Sequence, residues 1–169
     1  MATGFGRFRG IFSFFAQAFA LAPGKVRIFI RRGYYRLTLR QCADDLRIEF
    51  GSYFSHPEVT VDRMVGIGPY CIIGYAAIGE RTLIGQHRQI LSGAQQHKRD
   101  ADSWLTDEGR QFREIKIGTH CWIGASSVVT ADVGDKSTVA AGSVVMMRVP
   151  PGVVVGGNPA QRWSPPSRT

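Results

Sequence analysis

From Val61 onward a branched aliphatic residue returns about every six positions. Ile67, Ile73, Ile78, Ile84 and Ile90 follow Val61, with one step shortened to five, and Gly68, Gly74, Gly79 and Gly85 stand directly after four of them. The count then stops. It resumes at Ile117-Gly118, passes through Ile123-Gly124 to Val129, restarts at Val133-Gly134 and runs on through Val139 and Val145. A period of six fits neither the 3.6 of a helix nor the 2 of a long strand, so the chain must turn once per repeat. Each hexapeptide is then a short strand plus a corner. The aliphatic residue points inward and stacks on its equivalents in neighbouring coils, while the small residue beside it relieves crowding near the turn. Backbone hydrogen bonds run from coil to coil, and a continuous solenoid core results.

The 169 residues suit one domain, and a 44% hydrophobic content supplies a core. Charge is distributed unevenly. Residues 1–43 contain no Asp or Glu but carry Arg7, Arg9, Lys25, Arg27, Arg31, Arg32, Arg36 and Arg40, which account for the whole net charge of +8. Any basic partner surface therefore belongs to this segment. Phe8, Ile11, Phe12, Phe15 and Phe19 fall at helical spacing before Pro23-Gly24, and a second helix is expected with Val26, Phe29, Ile30, Tyr34 and Leu37 on one side. Arg7, Arg9 and the run "IFSFFAQAFALA" imitate a secretory signal, but Pro23 stands where cleavage would occur, and the run is short of the roughly 20 residues that span a bilayer. Two readings remain. The segment is either a helical cap packing its apolar stripe on the domain, or an interfacial anchor by which residues 1–40 make peripheral contact with an anionic membrane. Cys42, Cys71 and Cys121 form no CxxC pair, which fits reduced thiols and a cytoplasmic location, with or without peripheral attachment to the cytoplasmic membrane face.

The stretch "CWIGASSVVTADVGDKSTVAAGSVVMMRVPPGVVVGGNPA", Cys121 to Ala160, together with the repeat from Val61, resembles the hexapeptide-repeat acyltransferases, in particular the group that acetylates sugars and xenobiotics. The resemblance implies a mainly β fold: a left-handed parallel β-helix of hexapeptide repeats with an N-terminal helical segment and one looped-out insertion. On that reading residues 1–42 are the basic amphipathic helical segment. Residues 43–162 are the β-helix domain with an insertion loop at 92–115, and 163–169 are a tail. It also implies a homotrimer, acetyl-CoA as co-substrate and a saccharide acceptor in polysaccharide or glycolipid biosynthesis.

The break between Ile90 and Ile117 must loop out of the solenoid wall, and such excursions are more often functional than accidental. It opens as "LSGAQQHKRD" and carries His97, Lys98, Arg99, Asp100, Asp102, Trp104, Asp107 and Glu108. A neutral imidazole titrates near working pH and can deprotonate an acceptor hydroxyl, so His97 is the expected general base. Asp100, or Asp102, or a main-chain carbonyl would hold its other nitrogen. Relatives often read Ser-Gly-x-His-Gln-His here, which puts Gln95 where a histidine would stand; the open alternatives are a shifted loop with His97 as base, a structural His97, another histidine as base, or an inactive homologue. For the coenzyme the resemblance carries over to Ala125 and Ala141, whose small side chains permit close approach. Arg148 and Arg162 are candidates for the CoA phosphates, because the lysine the resemblance implies after "GSVV" is replaced by Met146-Met147, or else they are solvated surface arginines. Asn158-Pro159-Ala160 reads as a structural turn. His56, His87 and His120 read as corner or surface residues, and no close histidine pair argues for a metal. No nucleic-acid motif accompanies the basic charge. The function expected is therefore CoA-dependent O-acetylation of a sugar hydroxyl, with N-acetylation of an amino sugar and a non-catalytic trimeric scaffold as alternatives.

Overall fold

A computed structural model describes residues 3–23, 26–92, 98–99, 105–106 and 112–163. The repeat winds into a three-sided parallel β-solenoid of about five turns. Its first face holds the strands Gln41–Cys42, Thr60–Val61, Ala76–Ile78 and Ile115–Ile117. Bridges from Ile117 to Val133 and from Val133 to Val149 extend that face upward. On the second face the inward residues Ile48, Ile67, Ile84, Ile123, Val139 and Val155 stand in register. Phe54, Ile73, Ile90, Val129 and Val145 form the ladder of the third. Every one of these residues is buried, so each coil adds three aliphatic or aromatic side chains to one column, each contributing roughly 1.5–3 kcal/mol of apolar transfer.

Two of the three corners count without exception. From the first face to the second, and from the second to the third, the inward residue returns six positions later in every coil, as in Val61, Ile67 and Ile73. Except at Asp45 in the first coil, the third residue after it turns the chain in the left-handed region, including His87 (φ 54°) and His120 (φ 55°). Those two histidines are corner residues, as expected. All irregularity collects at the remaining corner, between third face and first: Phe54 and Val61 are seven apart, Ile73 and Ile78 five, Val129 and Val133 four. Here too the 27-residue step from Ile90 to Ile117 is inserted. The coil 76–90 nevertheless pairs directly with 115–129, because an excursion from a corner costs the ladder no hydrogen bonds. Ile115 already lies in the wall, paired with Ala76.

Two helices close the N-terminal end: α1, Thr3–Ala20, and α2, Val26–Thr38. They pack as a cap, but not through the stripes expected of them. In α1 the buried residues are Phe12, Ala16 and Ala20, while Phe8, Ile11 and Phe15 stay exposed. The departure is larger in α2, whose contact side is Arg31, Tyr35 and, just beyond the helix, Leu39, leaving Phe29, Ile30 and Leu37 in solvent. Backbone polarity explains this rotation. Each coil donates its N–H groups to the coil above, as in Arg47 to Val65 O and Gly66 to Thr82 O, so the first coil presents carbonyls with no coil beneath them. Arginine supplies the missing donors: Arg31 Nε and Nη2 donate to Ile48 O at 3.1 and 2.7 Å, and Arg32 Nε donates to Leu46 O at 2.9 Å. Arg9 pairs with Glu58 at 2.5 Å and Arg36 with Asp44 at 2.9 Å. Half of the eight cations in this segment therefore dock the cap.

Candidate active site

The insertion leaves and re-enters the wall through a clamped root. Arg113 N–H donates to Ser92 O at 2.8 Å, and the Arg113 guanidinium meets Asp132 at 2.5 Å. The other Asp132 oxygen accepts from Lys116 N–H at 3.0 Å. Ser92 is buried, and its Oγ accepts from Tyr75 N–H at 2.8 Å. That closeness requires Gly74, since a Cβ there would come within 2.6 Å of the hydroxyl. Within the insertion, Lys98–Arg99 and Leu105–Thr106 pair as antiparallel strands. The expected base His97 immediately precedes the first of them; His97 and Asp100 both lie outside the described residues.

The same corner holds His56. It sits in the seven-residue step of the first coil, half-buried, its Nδ1 2.9 Å from Ser55 Oγ. Tyr75 stacks on it at 6.3 Å between centroids, and Phe112, at the return of the insertion, meets it edge-on at 4.9 Å. Burial pushes its pKa down, the Arg9 charge adds to this, and Glu58 offsets part of it. A neutral imidazole beside a loop root is chemically able to accept a proton. A corner or surface place was expected for it, and the anomalous spacing from Phe54 to Val61 marks that corner; its closeness to the return of the insertion is what the repeat did not indicate.

Ala125 and Ala141 come together at a different corner, between second and third faces, one coil apart. Gly142 N–H donates to Ala125 O at 2.7 Å, and a Cβ on Gly124 would lie 2.4 Å from Ala141 N, so the two coils touch backbone to backbone. Beneath them is an arginine in an unexpected place. Ser52, Cys71, Ser127 and Ser143 occupy the small inward position at this corner in other coils, but in the third coil it is Arg88, only 1% exposed. Its Nε donates to Gly124 O at 2.5 Å, an oxygen that also accepts from Ser127 Oγ at 2.9 Å. Nη1 and Nη2 have no hydrogen-bond partner among the described residues, and burial pushes the guanidinium pKa down to about 10. The carbonyl of Gly124 is thereby fixed inward by two donors. Arg148 and Arg162 do not join this corner: Arg148 is exposed in the step from Val145 to Val149, and Arg162 lies on an antiparallel return strand opposite Val155. The turn at Gly157 to Ala160 makes that return, with Ala160 N–H donating to Val144 O at 2.8 Å. Outside the second face, Gly66, Gly68 and Gly85 leave a groove of about 350 Å³ between Arg47 and Glu49 and the side chains of Leu83 and Trp122. Among the described residues no three His, Cys, Asp or Glu side chains gather as metal ligands. Cys42, Cys71 and Cys121 are free.

Residues 114–146 match the hexapeptide repeat of succinyl-transferase, and the coils they form repeat that unit throughout the wall. That segment carries the hexapeptide repeat. Relatives include the bifunctional protein GlmU of Streptococcus pyogenes serotype M5 (strain Manfredo), 32% identical over 110 residues, which are 62% of this chain and 24% of that protein. A putative acetyltransferase, YvoF of Bacillus subtilis (strain 168), is 35% identical over 85 residues, 49% of this chain and 44% of the relative. The chain thus spans about a quarter of the length of GlmU and under half of YvoF. Galactoside acetyltransferase in complex with coenzyme A superposes with a TM-score of 0.78 over 97% of this chain and 83% of that one; at 23% identity this is a likeness of fold.

In this hexapeptide-repeat protein the solenoid brings the two alanines together and sets the insertion one face away from them. Arg88 was hidden from periodicity. It occupies an inward slot that six-residue counting assigns to a small side chain, and only the identity of the residue in that slot signals something other than packing.

Proposed function

We propose that this chain is an acetyl-CoA-dependent O-acetyltransferase acting on a saccharide hydroxyl, with polysaccharide or glycolipid biosynthesis as its setting. The observation that carries the reading is the coenzyme corner. Ala125 and Ala141, the positions expected to line the pantetheine arm, stack there on touching coils, in a fold shared with a coenzyme A-bound acetyltransferase. His97 takes the proton of the acceptor hydroxyl as its oxygen attacks the thioester carbonyl, and Asp100 holds the other ring nitrogen. The tetrahedral oxyanion collapses, the C–S bond breaks, and the imidazolium returns its proton to the departing thiolate. General-base assistance of this kind supplies about 100- to 10,000-fold, and holding both reactants together supplies further acceleration. Arg162 and Arg148 are the cations proposed for the coenzyme phosphates.

The reading includes a homotrimer. The loop root and the alanine corner stand at opposite ends of the third face, so neighbouring subunits would bring one chain's insertion to another's coenzyme corner. Leu83, Trp122 and Val154 expose an apolar stripe on the outer side of the second face, which suits contact between copies. No helix among the described residues is long and apolar enough to cross a membrane. The free thiols support a cytoplasmic reaction. The test is thiol release from acetyl-CoA with a panel of sugars and amino sugars, for the wild type, His97→Ala and His56→Ala. Release with neutral sugars that falls at least about 100-fold in His97→Ala is expected. Selective release with amino sugars shifts the reaction to N-acetylation, loss only in His56→Ala moves the base to the first coil, and failure to release thiol with any acceptor defeats the enzyme reading.

A further inference from the structure

The helical cap turns large apolar residues outward as well as toward the coils. A surface helix normally turns its apolar side to the core and its charged side to water. Here α2 sends Arg31 inward, fully buried, to bond the carbonyls of the open coil, and turns outward Phe29, Ile30 and Leu37, the last 86% exposed. α1 lies beside it, joined through Phe12 and Phe19 against Tyr34, and exposes Ile11 and Phe14, the latter 68%. Both helices put their buried sides on the coils, so their outer sides form one layer facing away from the solenoid. A patch of five large apolar residues at the end of the molecule is more than the scattered exposure a surface tolerates without purpose.

We infer that this outer layer docks on a bilayer carrying anionic headgroups. Charge selects that occupant. Residues 1–43 contain no carboxylate. Arg9, Arg31, Arg32 and Arg36 serve the docking of the cap, and the same segment holds four more cations, Arg7, Lys25, Arg27 and Arg40, with Arg40 exposed directly after α2. A second copy meeting this face by two-fold symmetry would set two acid-free, cationic segments against each other. An anionic lipid surface offers apolar depth to the exposed side chains and counter-charge to the cations of the segment. Neither helix is built to cross a membrane, so the cap lies on the surface and holds the solenoid upright above it. This placement is independent of the chemistry proposed above, but it would present the coils to a saccharide carried on lipid.

Cosedimentation of the full chain with vesicles tests it, using phosphatidylcholine alone and phosphatidylcholine mixed with phosphatidylglycerol. The wild type is expected to sediment with the mixed vesicles, less so as salt rises, and the exposed-face variant Phe14→Ser/Phe29→Ser/Leu37→Ser to partition at least about tenfold more weakly. Thiol release with a soluble acceptor should be equal in the two proteins, which keeps failure of the docking separate from failure of the transferase reading. Equal sedimentation of variant and wild type, or absence of wild-type binding to the mixed vesicles, overturns the inference. A lipid-free wild-type oligomer that the variant loses would also overturn it, giving the face to a second copy.

Discussion

The coils and the cap solve opposite problems with the same residue types. In the coils, strand N–H groups donate to carbonyls of the neighbouring turn, so side chains are free to sort by polarity and the aliphatic ladders run inward. At the open end carbonyls are left over, and satisfying them outweighs sorting: Arg31 is buried while Leu37 is exposed. An unmet buried carbonyl costs roughly 1–3 kcal/mol, comparable to the transfer free energy of one aliphatic side chain. The open end thus sets the rotation of α2, and the apolar residues it displaces become a surface available to a partner.

Substitutions in the two regions should separate this difference sharply. Ile123→Ala in the second-face ladder is expected to cost about 2–5 kcal/mol in urea denaturation, because neighbouring coils cannot collapse into the gap. Arg31→Met keeps the stem and removes the donors, leaving Ile48 O unmet, and should cost about 1–3 kcal/mol; a change near zero would show that the carbonyls do not set the cap. Arg88→Ser restores the residue type of other coils and releases the Gly124 carbonyl. It should raise KM for acetyl-CoA by about tenfold, without lowering the thermal midpoint, since it also removes a poorly solvated buried cation. A lowered midpoint with unchanged KM would make Arg88 a packing residue only.

Acid should loosen the cap before the coils. The His56 pKa is lowered by burial and by Arg9, so the unfolded chain binds that proton more readily and stability falls as pH drops below about 6.5 toward the folded value. For Glu58, burial pushes the pKa up, but the Arg9 hydrogen bond and charge outweigh it and leave it lowered; its contribution is present above the ordinary carboxylate range and is lost as pH falls through the folded value. Hydrogen exchange in α1 should therefore speed up on acidification while the ladder of Ile123 stays protected, and Glu58→Gln should flatten the lower part of that dependence. The smallest effect is expected from Leu37→Ser, within about 0.5 kcal/mol by the same denaturation measurement.

The wall was legible because its information is periodic: six-residue steps name Ile67, Ile84, Ile123 and Val139 as inward residues, and all are buried. The looping out of residues after Ile90 follows from the same count. What periodicity does not encode is which side of a helix meets the coils, since α2 has an apolar side whether that side faces the solenoid or away from it. Only the direction of the first coil's carbonyls decides the matter, and that direction belongs to the assembled solenoid. His56 was expected at a corner or on the surface, and its nearness to the insertion was illegible for a related reason: it precedes the regular count, yet the coil returns it to the corner from which the insertion springs. Of the expected site, the alanine pair is brought together, Arg148 and Arg162 stand apart from it within one chain, and His97 and Asp100 fall outside the described residues.

The proposed division of labour between a docking cap and a coenzyme-binding wall rests on the corner of Ala125 and Ala141. Titration calorimetry of acetyl-CoA into the full chain and into Ala125→Leu tests it most directly. Binding by the wild type, and a loss of at least about tenfold when a larger side chain fills the approach to the two coils, is the predicted result. Absence of binding to the wild type, or undiminished affinity in Ala125→Leu, would contradict it.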